Sequence, residues 1–183
     1  MADSACDVIA ASNFAGSTSS LTFTGIPQTY KHLRIIANLC SVIDAGAYNY
    51  QSVYMRLNGD STAGTYRFAT VMMGNATYSS EDTNASYANV GLSAGDSYAD
   101  LPAHSPLIID MFNYSANEPT TWIALGGFTK NDNNNVGGEY QRASGGVATA
   151  GSGSDWGISQ IEIYGSNLDF TSTSRVTILG LAD

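Results

Sequence analysis

Two histidines, two cysteines and two carboxylates set inside apolar runs are the residues of this chain whose types could do chemistry. A nucleophile of the Ser-His-Asp or Cys-His kind needs an imidazole beside a hydroxyl or thiol. His32 opens an alternating run, and His104 lies between Pro102 and Pro106 in a turn. No G-x-S-x-G elbow is present, and nothing around Cys6 or Cys40 marks a reactive thiol. Zinc would need closely spaced Cys and His pairs, which are absent. Both histidines therefore read as partly exposed surface residues. The two cysteines are too few for a disulfide framework and read as two thiols, with one bridge between them as the alternative. Asp110 and Glu162 could form the acid and base or nucleophile of a glycosidase on a β-sandwich. Each also fits the outward phase of its strand, and only two Trp are available to line a sugar cleft. The segment NDNNNVGGE (Asn131–Glu139) offers oxygen ligands but lacks the register of a calcium loop, so it reads as a flexible loop. The expectation is a protein that is not an enzyme, with no catalytic residue, cofactor site or metal site.

The 11 tyrosines are the most suggestive class, because Tyr offers apolar area and a hydroxyl at low entropic cost. They are ordinary strand residues as well. Tyr48, Tyr50, Tyr78, Tyr87 and Tyr98 fall in loops or weak strands, where an interface role gains weight.

The elements that would position these residues are short strands. The 183 residues suit one domain able to bury a core, and 43% of them are hydrophobic, which excludes disorder. Only 7 Lys and Arg stand against 16 Asp and Glu, for a net charge of −9. The cations are scattered, which argues against a phosphate-binding face. No run is long enough to form a membrane helix, and the first twenty residues lack the pattern of a secretion signal.

Alternation predicts strands over Ser20–Ile26, over His32–Leu39, through QSVYMRL and over Thr65–Met73. A helical stripe also fits Leu33, Ile36, Ala37, Cys40 and Ile43, but the surroundings favour a strand. Asn58-Gly59-Asp60 is a turn signal that would pair the third and fourth of these runs as a hairpin. A weak strand is expected near Ser86–Leu92. Ser105–Tyr114 is the most apolar run and should be central, pairing with Thr120–Phe128. A short strand is expected at Glu139–Arg142, and Ile158–Tyr164 and Arg175–Leu181 close the chain. The total is eight to ten strands with no convincing helix, an antiparallel β-sandwich of jelly-roll type. Residues 1–19 read as an N-terminal arm and 20–183 as the single sandwich domain.

Four stretches together resemble a group of tailed-bacteriophage virion proteins. They are LTFTGIPQTYKHLRI (Leu21–Ile35), VYMRLNGDSTAGTYRF (Val53–Phe68), IDMFNYSANEPTTW (Ile109–Trp122) and ISQIEIYGSNLDFTSTSRVTILGL (Ile158–Leu181). The group's pattern ends in paired closing strands. The resemblance implies a particle component with a jelly-roll-like β-sandwich and no catalytic residues to carry over. An acidic chain would be repelled by packaged DNA, which favours the outside of the shell. The expected role is an outer capsid decoration, or cement, protein, made in the host cytoplasm. Its expected partners are the major capsid protein, met partly through residues 1–20, and further copies of itself, as a homotrimer. Nucleic acid and membrane are not expected partners. A tail or baseplate component binding host glycan through its loop tyrosines is the alternative, and a glycan hydrolase the third reading.

Overall fold

The computed structural model describes residues 6–16, 18–42, 50–74, 77–94, 104–116, 118–129, 139–149 and 157–182. Twelve strands run through them: β1 (Cys6–Asn13), β2 (Ser20–Thr24), β3 (His32–Leu39), β4 (Tyr50–Leu57), β5 (Tyr66–Met73), β6 (Tyr78–Ala85), β7 (Ala88–Ala94), β8 (Ser105–Phe112), β9 (Thr120–Thr129), β10 (Glu139–Ala148), β11 (Gln160–Gly165) and β12 (Arg175–Leu181). They form an eight-stranded sheet, β1-β12-β3-β8-β9-β10-β5-β6, and a four-stranded sheet, β2-β11-β4-β7. Every pairing is antiparallel. The all-β sandwich expected from the sequence is present. Its strands divide eight and four, rather than between the two sheets of an eight-stranded jelly roll.

Side-chain alternation explains which face of each strand is buried. In β3, Leu33, Ile35, Ala37 and Leu39 point inward while Arg34, Ile36 and Asn38 are exposed. That settles the strand over the helical stripe. Ile35, Ile109 and Trp122 from the large sheet join Val53, Met55, Ile161 and Ile163 from the small one in a single core. The sheets are also tied by polar groups. Buried Arg142 on β10 reaches the small sheet, donating to Asn89 Oδ1 at 2.6 Å and Ser52 Oγ at 3.1 Å. Gln51 Nε2 donates to Ser41 Oγ at 2.6 Å, and Gln51 Oε1 accepts the Leu168 N–H at 2.9 Å.

Central placement of β8 and its hairpin with β9 follow the sequence expectation. Four arrangements differ. First, β4 and β5 do not form a hairpin: the Asn58-Gly59 turn, with positive φ at both residues, carries the chain from the small sheet to the large one. Asn58 Oδ1 accepts the N–H groups of Ser159 and Gln160 at 2.9 and 3.1 Å, which ties the turn to β11. The Leu57 N–H is taken by the buried Tyr66 hydroxyl at 2.8 Å rather than by a neighbouring strand. Second, β11 and β12 are not paired with each other. The segment between them crosses from one sheet to the other, pinned by the fully buried ring of Phe170, whose backbone bridges both Thr18 and Ser41.

Third, the region expected to hold one weak strand holds two. β6 reads YSSEDTNA, whose polar residues carry no apolar period, so only its pairing with β5 reveals it. The short strand expected at Glu139–Arg142 likewise continues to Ala148. Fourth, residues 6–13 of the expected arm are an edge strand of the large sheet, in register with β12 from Cys6 opposite Leu181 to Asn13 opposite Arg175. Just beyond it, Phe14 is buried against Phe170 at 4.5 Å between ring centroids.

Candidate functional site

The residues singled out for chemistry are not brought together. Asp110 on β8 faces outward from the large sheet, and Glu162 on β11 faces outward from the small one. The two carboxylates therefore lie on opposite sides of the sandwich, each bonded to an arginine. Arg34 donates to Asp110 through Nε at 2.6 Å and Nη2 at 2.9 Å, a two-pronged pair. Arg56 Nη1 donates to Glu162 Oε2 at 2.9 Å. His32 starts β3, where its Nδ1 accepts the Asn113 N–H at 3.3 Å and its ring meets Phe112 edge-on. His104 directly precedes Ser105, and β3 runs antiparallel to β8 with Leu39 opposite Ser105, so the two imidazoles sit at opposite ends of that pair. Cys6 is exposed and Cys40 buried, with no bridge between them. Among the described residues, no cluster of three or more His, Cys, Asp and Glu side chains is poised to hold a metal ion. Residues 131–138, Tyr48 and Tyr98 lie outside the described residues.

The outer face of the small sheet carries an aromatic and polar cluster. Tyr54 lies between Tyr87, at 4.2 Å between ring centroids, and Tyr164, at 5.5 Å. Arg56 sits over the Tyr164 ring at 4.7 Å and donates to its hydroxyl at 3.1 Å. Burial outweighs the nearby Arg56 charge and pushes the Tyr164 phenol up to about 12. Burial also raises Tyr87. Most of the remaining outward residues here, such as Thr22, Thr24 and Gln160, are polar.

The outer face of the large sheet is different. Every large hydrophobic side chain that is exposed among the described residues lies on it: Val8, Ile36, Val71, Met73, Ile108, Ile123 and Leu125. The register explains the gathering. Directly opposed residues in antiparallel strands share a face. Ile36 opposes Ile108, which opposes Leu125, which opposes Ala143, which opposes Val71. One apolar row thus crosses five adjacent strands. The row beside it runs Arg34, Asp110, Ile123, Gly145, Ala69, so the ion pair closes one end of an otherwise apolar surface.

Side-chain size gives this surface relief. Leu125 and Ile123 on β9 stand 58% and 55% exposed, as a ridge. On the adjoining β10, Ala143 and Gly145 leave a furrow between that ridge and Val71 and Ala69 of β5. The result is an open apolar groove of about 650 Å3 lined by these residues with Ile108, Arg34 and Asp110. Sequence reasoning missed this face, although a signal was present. In RIIANL, LIID, WIAL and ATVMM, residues of both phases are apolar, whereas a sheet wet on one side needs only one apolar phase.

No protein-family model matches the chain, and no curated protein matches it. Among solved structures, the chain is similar to one described as the structure of infectious bursal disease virus Gx strain. The two share 14% identity with a TM-score of 0.20. The match covers 96% of this chain, which spans only 39% of that one. That likeness is too slight to bear on fold or function, which rest on the chain's own geometry.

Proposed function

We propose that this protein is a structural component of a phage particle: an outer capsid decoration protein that binds and braces the shell of major capsid protein. It has no catalytic role. One observation carries this reading. Among the described residues the interior of the sandwich is a packed apolar core, the residues that could do chemistry are dispersed, with Asp110 and Glu162 each bonded to an arginine, and the exposed large apolar side chains are gathered on one sheet face. Such a sorted surface suits a protein that works by packing against others. The resemblance of four stretches to tailed-phage virion proteins supports the same reading. The net charge of −9 favours a place outside the shell rather than against DNA.

In this reading residues 1–5 and the outer edge of β1 meet the capsid. Among the described residues β1 pairs with β12 on one side and forms the edge of the large sheet, a place where a capsid segment can add as a further strand. Quantitative mass spectrometry of purified particles tests the assignment. A copy number close to that of the major capsid protein is expected. A copy number matching the tail-tip proteins would overturn it.

The Tyr54, Tyr87 and Tyr164 cluster supports a second reading, a tail or baseplate component that stacks host sugar rings on tyrosine faces. Binding on a glycan array that is lost in Tyr54→Ala and Tyr164→Ala would favour it over the capsid role.

A further inference from the structure

We propose that the outer face of the eight-stranded sheet binds a second copy of this chain, across a two-fold axis running along the strands between β9 and β10. The relief of the face argues for this occupant. The ridge of Ile123 and Leu125 on β9 lies beside the furrow over Ala143 and Gly145 on β10. A two-fold axis between these neighbours sets the ridge of each copy over the furrow of the other. That is the reciprocal contact a self-complementary interface requires. A three-fold arrangement would set this face against a different surface of the next copy. Elsewhere among the described residues no large hydrophobic side chain is exposed. The face therefore points to a pair rather than the trimer expected from sequence.

Area and charge agree. With the axis between β9 and β10, β1 and β12 overhang and the six strands from β3 to β6 in the sheet order face their counterparts; at about 4.8 Å between strands and about 3.4 Å per residue they present roughly 800 Å2 per copy, about what each partner buries in a stable complex. The acidity of the chain is not concentrated here. Among the described side chains of the six facing strands, Arg34 and Arg67 are exposed on this face against Asp110 and Glu81, the latter opposite Ala69. A second copy is thus not repelled as the net charge of −9 would suggest. Arg34 and Asp110 already satisfy each other at the groove's end, so covering them strands no lone charge. Two such sheets pack with strands nearly aligned, as in the interior of a sandwich.

The pairing does not rest on the capsid assignment. A protein that binds capsids yet stays a single chain would overturn the pairing and leave that assignment standing. The test is sedimentation equilibrium on the full chain over a range of concentrations. The expected mass is twice the 19.2 kDa of one chain. Ile123→Glu with Leu125→Glu should return it to single-chain mass with an unchanged far-ultraviolet circular dichroism spectrum. Thr22→Glu, on the outer face of the small sheet, should leave the pair intact. A second measurement avoids charged variants. In a Cys6→Ser background, Leu125→Cys mixed with Ala143→Cys should be joined by a short bis-maleimide cross-linker, which spans the roughly 10 Å between packed sheets. A single-chain mass at every concentration, a three-chain mass, a pair that survives both Glu substitutions, or no mixed cross-link would overturn the proposal.

Discussion

Arg34 on β3 and Asp110 on β8 are directly opposed on the outer face of the large sheet and joined by two hydrogen bonds, at 2.6 and 2.9 Å. One of the two carboxylates weighed as a glycosidase acid is thereby occupied. The Arg34 side chain is 44% exposed, and an ion pair so open to solvent contributes about 0–1 kcal/mol. In the Ile123→Glu, Leu125→Glu background, where the face stays open to solvent, Asp110→Asn should lower stability by less than about 1 kcal/mol in urea denaturation. In the unsubstituted pair, where the second copy shields Arg34 and Asp110, the same change should cost more.

Trp122 is only 1% exposed and packs near Phe68, at 6.4 Å between ring centroids. Trp122→Ala should cost about 3–5 kcal/mol, because the cavity cannot collapse between two sheets. Denaturation followed by circular dichroism reads it, and a loss under about 1 kcal/mol would contradict the inward phase of β9.

Tyr66 gives the alkaline side of stability its shape. Burial holds its phenol above the ordinary value of 10.0. The unfolded chain therefore releases this proton first as pH rises past about 10, so its contribution is intact below that pH and is lost above it. Tyr66→Phe should flatten the alkaline decline in melting temperature. It should also cost about 1–3 kcal/mol at neutral pH, because the Leu57 N–H loses its buried acceptor. An equally steep alkaline limb in the variant would show that other groups, Tyr164 among them, dominate it.

The N-terminal segment divides at β1. Deleting residues 1–5 leaves the strand whole and should not change the melting temperature, while capsid binding should weaken. Deleting 1–13 removes Ile9 and Ala10 from beside the core and exposes the edge of β12, and should cost about 2 kcal/mol or more. Equal stability of the two truncations would show that β1 is dispensable to the sheet. Unchanged capsid binding after removal of residues 1–5 would remove them from the contact.

Strand positions were legible because alternation is local. His32–Leu39 and Arg175–Leu181 have the bounds that their side-chain pattern implies, and the β8–β9 hairpin follows from a short polar turn between two apolar runs. β6 was not legible, since an edge strand of polar residues owes its conformation to hydrogen bonds with β5 rather than to burial. The dispersal of Asp110, Glu162, His32 and His104 was not legible either, because it depends on which sheet each strand joins.

By itself, then, the sequence determined an all-β chain, the inward residues of most strands and the absence of any local catalytic motif, all of which depend on neighbours within a few positions. Only the tertiary structure decided the partners. It sent β4 and β5, and β11 and β12, into opposite sheets, through the Asn58 and Phe170 anchors. It also aligned Ile36, Ile108, Leu125, Ala143 and Val71 in one row, from strands far apart in the chain. Register between distant strands is set by the packing of the whole core, and the candidate face exists only once that register is formed.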